Sequence, residues 1–319
     1  MLQRIDRKTE RLRQQTAGVR KDIATLIQRH TAGQPGIFTP FPGVMMAELH
    51  EPMPPMAHVY EPSLSLVIQG EKNVTVGETV YTYNESYFFL TAINLPTVSE
   101  VPAVSADAPF LSLLIGLDLG LAREVIADME LRGGRVSQPS AGMALGEANA
   151  RLLDAVRRYL ANAELPEHER QYINDLTLRE IFYLILIGDA GSVFRETVVA
   201  GTSGQRVSVA IGWLRDNYLQ PLKVEELARM AGMGVSTLHH HFRRMTSLSP
   251  LQYQKRLRLH EARRLLVAEE GDAASVAIRV GYESVTQFHR EYKRMFGVTP
   301  IQDKEQLLKG AGYPAFGVK

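Results

Sequence analysis

Cysteine is absent from all 319 residues, which excludes disulfides, thiolate zinc sites, iron–sulfur clusters and thiol nucleophiles. Long apolar runs are missing as well. The most apolar stretch, Ile181-Phe-Tyr-Leu-Ile-Leu-Ile187, is seven residues, against the roughly 20 that a membrane-spanning helix needs. The opening Met1-Leu-Gln-Arg-Ile-Asp-Arg-Lys-Thr-Glu10 alternates charges where a secretion signal carries an apolar core, so a soluble, cytoplasmic protein is expected, with no membrane partner. Catalytic signatures are also lacking. Gly201-Thr-Ser-Gly204 has no Lys-Ser/Thr after it and reads as a linker, not a phosphate cradle. His50 and His58 have no further histidine until His168, which leaves a metal-dependent barrel enzyme without a ligand set. Adjacent residues of a helix point about 100° apart, so His239-His240-His241 cannot all hold one ion. Neither enzyme, cofactor nor metal is expected. Glu48, Glu51 and Glu61 lie near prolines and are expected to be exposed.

What the chain does have is enough apolar material, 45%, for about two domains. Its net charge of +1 hides an asymmetry. From Gln205 to Lys319 there are 18 Lys+Arg and 11 Asp+Glu, a charge of +7; the first 204 residues carry 18 and 24, a charge of −6. A basic carboxyl-terminal third suits a polyanion partner, because each neutralised phosphate releases counterions, although a solvated basic surface has the same composition.

Residues 1 to 31 predict a helix, with Ile5, Leu12, Val19 and Leu26 seven apart, Ile23 and Ile27 widening the stripe, and Gly33-Gln-Pro-Gly36 as a stop. Packing on the next domain or a coiled-coil arm are its two uses. Residues 1–37 are therefore a helix and an entry segment. From 38 to 118 the texture is β-rich: Leu64-Ser-Leu-Val-Ile68, Asn73-Val-Thr-Val76 and Thr79-Val-Tyr-Thr-Tyr83 read as strands, with Gly77-Glu78 as a hairpin turn. Strands at this spacing predict a small antiparallel barrel or jelly roll. Its aromatics, Tyr60, Tyr81, Tyr83, Tyr87, Phe88 and Phe89, suit core filling ahead of a ligand cavity, and no ligand-binding residue can be named. Residues 119–204 return to helical periodicity in 119–131, 148–163 and 172–187, interrupted by Gly188-Asp-Ala-Gly191 and Ala200-Gly-Thr-Ser-Gly204. This is read as a helical dimerisation segment and linker. The last unit, 205–319, holds the functional signal.

That signal is an internal repeat. Val224, Leu227, Ala228 and Ala231 stand at i, i+3, i+4, i+7, and so do Ala273, Val276, Ala277 and Val280; Gly232 and Gly281 follow. Next come Leu238-His-His-His-Phe242-Arg-Arg-Met245 and Phe288-His-Arg-Glu-Tyr292-Lys-Arg-Met295, aligned at an offset of 50, then Ser249-Pro250 and Thr299-Pro300. Short helix, glycine turn, second helix and hydroxyl cap with proline is a helix-turn-helix unit, present twice. Periodicity turns Leu238, Phe242 and Met245 inward, with Ser236, His239, His240 and Arg243 outward. The second copy puts Phe288, Tyr292 and Met295 inside, with Thr286, His289, Arg290 and Lys293 outside. A breaker-free helix from Pro250 to Ala268, ending at Gly271-Asp272, spans ~28 Å and can hold two such units in neighbouring major-groove segments.

The run Val224-Glu-Glu-Leu-Ala-Arg-Met-Ala-Gly-Met-Gly-Val-Ser-Thr-Leu238 through Ser249-Pro-Leu-Gln-Tyr253, with Ala277-Ile-Arg-Val-Gly-Tyr-Glu-Ser284 through Gly297-Val-Thr-Pro300, resembles the DNA-binding region of AraC/XylS-type bacterial transcriptional regulators over about residues 206 to 305. Tyr60-Glu-Pro-Ser-Leu-Ser-Leu-Val-Ile-Gln-Gly70 with Leu95-Pro96 is similar to the cupin-like amino-terminal domain of one subgroup. The resemblance implies an α+β multidomain chain: a cupin-like β-barrel with flanking helices, then an all-α domain with two helix-turn-helix motifs. It implies a regulator of transcription that binds double-stranded DNA, is controlled by a small-molecule effector or by homodimerisation, and meets RNA polymerase. Base-reading slots fall on Ser236, His239 and His240 in the first unit and on Thr286, Gln287, His289 and Arg290 in the second. Arg243, Arg244, Lys293 and Arg294 fall on phosphate. A constitutive DNA-organising protein whose barrel only dimerises is the alternative. Three departures from the family pattern bear on the first unit: His240 replaces a frequent arginine, Gly234 replaces a capping Ser or Asn, and Ser247 stands where the second copy has Gly297. Ser247 is therefore expected in a left-handed conformation, with a weaker first unit.

Overall fold

The structure is a computed structural model that describes residues 2–104, 107–131, 142–268 and 272–309. A long helix, α1 (Leu2–Thr31), is followed by strands β1 (Gly36–Phe38), β2 (Val44–Leu49), β3 (Met53–Tyr60), β4 (Ser63–Gln69), β5 (Glu71–Val76), β6 (Thr79–Asn84), β7 (Tyr87–Thr91), β8 (Leu95–Val101) and β9 (Phe110–Gly116). Helix α2 (Leu119–Leu131), strand β10 (Met143–Glu147) and helices α3 (Ala150–Ala161), α4 (Glu167–Ile187) and α5 (Gly191–Val198) come next. Among the described residues the strands pair antiparallel into a six-stranded sheet, ordered β1-β2-β9-β4-β7-β10, and a four-stranded sheet, ordered β3-β8-β5-β6. The β-rich domain anticipated from the sequence is present, with its ladders divided between two sheets and not closed into one ring.

Period-2 geometry explains the apolar runs of the larger sheet. Met46, Leu64, Leu66, Leu111, Leu113 and Ile115 pack on one face against α1 to α5. Met45, Val67, Phe89 and Leu114 point the other way, against Val74, Val76 and Tyr83 of the smaller sheet. Both faces are covered, so β2 and β9 do not alternate with polar residues, and the serines that do alternate in β4, Ser63 and Ser65, are buried. Gly77 at φ +63 makes the tight turn between Val76 and Thr79, where the sequence placed it. Pro54 and Pro55 fall in a bulge of β3, an edge strand that tolerates a missing donor.

Of the two uses open to α1, packing is the one observed. Ile23 and Ile27 are fully buried, the Arg13 guanidinium lies 3.0 Å from Glu85, and Ser86 donates to the Thr9 carbonyl. Glu48 corrects the expectation of exposure. It is 2% exposed on β2, accepting a hydrogen bond from Thr31 and pairing with His50 at 2.8 Å. A strand and its neighbouring helix end supply those partners, and proximity to prolines did not reveal them. Two further elements escaped the sequence reading: β10, which extends the larger sheet beside β7, and α5, which lies between the two breakers.

Seven helices complete the described chain: α6 (Ser203–Asp216), α7 (Val224–Met230), α8 (Val235–Thr246), α9 (Pro250–Ala268), α10 (Ala273–Arg279), α11 (Val285–Phe296) and α12 (Pro300–Lys309). Helix α6 starts within the second breaker, because Thr202 caps it by accepting from the Gln205 amide. Of the expected breaker after α9, Gly271 lies outside the described residues, and Asp272 caps α10. The core of the first helix pair is continuous with the space between the sheets: Leu227, Leu238, Phe242 and Met245 share a cluster with Tyr60, Phe89 and Leu95. The second pair has a separate core around Leu259, Val276, Phe288 and Tyr292.

Candidate nucleic-acid interface

The repeat folds as two helix-turn-helix units, α7–α8 and α10–α11. Gly232 and Gly281 adopt φ +62 and +86 at the turns, a left-handed conformation that glycine accepts without a side-chain clash. Each unit hands over to the next helix through a reciprocal cap. The Gln252 amide donates to Ser249 Oγ at 3.2 Å while Gln252 Oε1 accepts from the Ser249 amide at 2.9 Å, and Thr299 and Gln302 repeat the pattern at 3.4 and 3.2 Å. The expected weak points of the first unit are also present. Gly234 gives α8 no side-chain cap, whereas Ser284 Oγ accepts from the Gln287 amide to cap α11. Ser247 sits at φ +60 where Gly297 sits at +80.

Burial divides the two second helices as their periodicity requires. On α8, Leu238 and Phe242 are fully buried and Met245 nearly so, while Ser236, His239, His240 and Arg243 are exposed. On α11, Phe288 and Tyr292 are fully buried and Met295 partly, while Thr286, Arg290, Lys293 and Arg294 are exposed. Neither outward face carries an acid: α8 has none, and the acid of α11, Glu291, is turned inward. His239, His240, Arg243 and Arg244 line a surface depression of about 460 Å³.

Three positions have more specific surroundings than the sequence suggested. Gln287 is half-buried and donates its side-chain amide to Glu291 at 3.1 Å. His289 is half-buried, its ring edge-on to Phe288. The Arg244 guanidinium lies 3.0 Å from Glu196 on α5, so the cation nearest the end of α8 is held by the amino-terminal part of the chain. Burial raises the Glu196 carboxyl above its ordinary range, against the opposing pull of Arg244. Glu291 runs the other way. Burial would raise it, but the Lys255 ammonium at 2.7 Å and hydrogen bonds from Gln287 and Tyr282 hold it below the ordinary range.

His241 is half-buried, and its Nδ1 has no hydrogen-bond partner. Among the described residues no three acidic or imidazole side chains are grouped to hold a metal ion. Between the sheets the named aromatics pack on one another. Tyr83 stacks on Phe89 at 5.6 Å, and Tyr60 and Tyr81 approach the same ring. Phe88, next in sequence to Phe89, faces the helical layer instead. Lys72 donates to the Tyr60 hydroxyl at 2.8 Å, and His58 lies edge-on to Tyr60. Burial, with Lys72 and His260 nearby, keeps the His58 imidazole well below its ordinary range; burial and the Arg263 and Arg256 charges push His260 down to about 3.

A β-rich domain joined to two helix-turn-helix units with open, acid-free second helices defines a regulator-type architecture. Comparison with known proteins agrees. A family profile described as the AraC-type transcriptional regulator N-terminus matches residues 40–193, and a helix-turn-helix domain profile matches 227–306. The HTH-type transcriptional activator RhaS of Escherichia coli (strain SMS-3-5 / SECEC) is 27% identical over 152 residues, covering 48% of this chain and 54% of RhaS. The chain thus spans about half the length of the curated relatives it matches. Solved structures of ToxT from Vibrio cholerae share the fold: one crystal form superposes with a TM-score of 0.53 at 12% identity, over 84% of this chain and 98% of ToxT. A second, bound to (E)-4-(8-methylnaphthalen-1-yl)but-3-enoic acid, gives 0.56 at 12% identity over the same shares. The chain belongs to the AraC/XylS-type transcriptional regulators. Among the described residues no helix is long and apolar enough to cross a membrane.

Proposed function

We propose that the protein regulates transcription by binding double-stranded DNA, laying α8 and α11 into two adjacent major-groove segments. The observation that carries this reading is the pair of outward faces, at repeated positions, rich in hydrogen-bond donors and cations and free of acids. Such faces reach guanine O6 and N7 and the flanking phosphates. Arg290, exposed in the middle of α11, is assigned to a bidentate base contact. Ser236, His239, His240, Thr286, Gln287 and His289 are assigned to neighbouring base edges, and Arg243, Arg244, Lys293 and Arg294 to phosphate. For Arg244 and Gln287 this requires leaving Glu196 and Glu291. The test begins with duplexes that the purified chain retains from a random-sequence library. On the retained site, Arg290→Ala costs about 1–3 kcal/mol and relaxes choice at one base pair. Arg243→Ala weakens all sequences alike and lowers the salt slope by about one. If both variants bind as the wild type does, α8 and α11 are not the reading helices.

The homodimer is assigned to the exposed face of α4. Ile173, Leu176, Glu180, Tyr183 and Ile187 are exposed along it at alternating spacings of three and four, the heptad rhythm of a helix–helix seam. Glu180 at the middle pairs with Arg158, so a two-fold copy meets both signs of charge there. Leu176→Arg with Tyr183→Arg is expected to convert a dimer into a monomer in sedimentation velocity; a monomeric wild type at tens of micromolar would overturn this assignment. Control by a small molecule or by dimerisation is supported by the shared core, since α8 packs on the same cluster that fills the space between the sheets. Contact with RNA polymerase rests on family resemblance, and no catalytic role is assigned.

A further inference from the structure

We infer that Arg258 is the residue that sets the spacing between the two reading helices, and so the separation of the two DNA segments the protein accepts. The inference rests on the DNA-binding reading above. Helix α9 is where the two units meet, and its packing changes hands at one residue. Tyr253 and Leu257 belong to the cluster of the first unit, and Leu259, Ala262 and Leu266 to that of the second. Arg258 stands between them. Its Nε donates to the Tyr218 carbonyl at 2.7 Å, its Nη2 to Leu219 and Gln220 at 3.1 Å each, and its Nη1 to the Gly281 carbonyl at 2.7 Å. The first three carbonyls lie between α6 and α7; the fourth is the turn of the second unit. One planar guanidinium thus joins both units, away from the axis of the helix that links them.

A second observation places the turn of the second unit against the segment between α6 and α7 that leads into the first. A Cβ on Gly281 would lie 3.0 Å from the Leu219 carbonyl oxygen and 3.0 Å from the Arg258 guanidinium carbon, whereas one on Gly232, its counterpart in the first unit, would meet nothing within 4 Å. The Gly232 carbonyl does accept a bond from an arginine, Arg206 of α6, at 2.9 Å. Both turns are therefore tied to the helix that precedes their unit, but the second tie also reaches across to the segment leading into the first unit.

The mechanical consequence is specific. A single helix fixes the distance between two bodies along its axis but resists rocking about its middle only weakly. Off-axis bonds resist rocking, and here they converge on Arg258. Arg has the fork geometry to satisfy several carbonyls at once; Lys does not. Each inserted base pair moves one DNA segment by about 3.4 Å and turns it by about 35° relative to the other. Held units cannot follow, while rocking units can.

The test uses the full chain and the duplex that the wild type retains from a random-sequence library, with one or two base pairs inserted or deleted between its two contacted segments. Wild type is expected to lose roughly tenfold in affinity per inserted base pair, the scale of a lost base contact. Arg258→Lys and Arg258→Met are expected to lose about twofold or less, while binding a duplex with only one segment as the wild type does. A variant that is folded by circular dichroism and keeps the wild-type spacing penalty overturns the inference, as does a wild type indifferent to spacing. Should Arg258→Met not fold, Arg258→Lys decides alone, since it keeps the charge and the stem. A wild type that retains no duplex from the library refutes the DNA-binding reading instead, so the two failures are told apart.

Discussion

Asp303→Ala is expected to destabilise the second helix-turn-helix unit by about 3–5 kcal/mol, the scale of a buried ion pair broken on one side. Asp303 is 4% exposed and accepts two bonds from one arginine, Arg263 Nε at 2.8 Å and Nη2 at 3.0 Å, with a third from the Tyr292 hydroxyl at 2.7 Å. Removing the carboxylate leaves an arginine side chain that is only 16% exposed without its counter-charge, and a buried phenol without its acceptor. Tyr292 lies on α11, so the loss reaches the reading helix directly. Asp303→Asn, which keeps an acceptor and the shape, should cost less. Urea unfolding followed by circular dichroism measures both, and a midpoint for Asp303→Ala equal to the wild type would contradict the account.

Phe242→Ala is expected to cost a similar 3–5 kcal/mol, with a different reach. Phe242 is fully buried on α8 and meets Tyr253 edge-on at 5.5 Å. The Tyr253 hydroxyl in turn donates to the Asn94 carbonyl at 2.7 Å, in the loop before β8. The cavity opens in a core shared with the sheets, so amide exchange should accelerate in β4 and β8 as well as in α7 and α8. Phe288→Ala removes an equally buried ring from the separate second core and should leave the strand amides protected. Identical exchange in β4 and β8 for the two variants would show that the cores are not divided in this way.

The two helix-turn-helix units were legible because every signal that defines them is local, while the half-burial of Gln287 and His289 was not. Inward Leu238, Phe242, Phe288 and Tyr292, outward His239, His240, Arg243 and Arg290, and the caps at Ser249 and Thr299 all follow from spacing within one turn or two of helix. Even the left-handed Ser247 was readable, because its repeat partner is Gly297. The strands were readable as a texture but not as two sheets. In β2 and β9 both faces are buried, so the runs Val44-Met-Met-Ala-Glu-Leu49 and Phe110-Leu-Ser-Leu-Leu-Ile115 lose the alternation that would assign each side chain to a layer.

The amino-acid sequence alone determined that there are two helix-turn-helix units, which of their faces look outward, and how the charge divides between the halves of the chain. Those are consequences of helical period, glycine conformation and composition, each of which acts over a few residues. Tertiary structure alone decided that Glu48 is buried, that Arg244 is held by Glu196, that the first unit shares its core with the sheets, and that Arg258 joins the two units. Each of these depends on partners brought together by chain closure, separated by 17, 48 and up to 40 residues for the three named hydrogen-bonding side chains. Local pattern carries no information about which distant carbonyl or carboxylate will arrive opposite a given side chain, since packing geometry settles that only once the layers have formed.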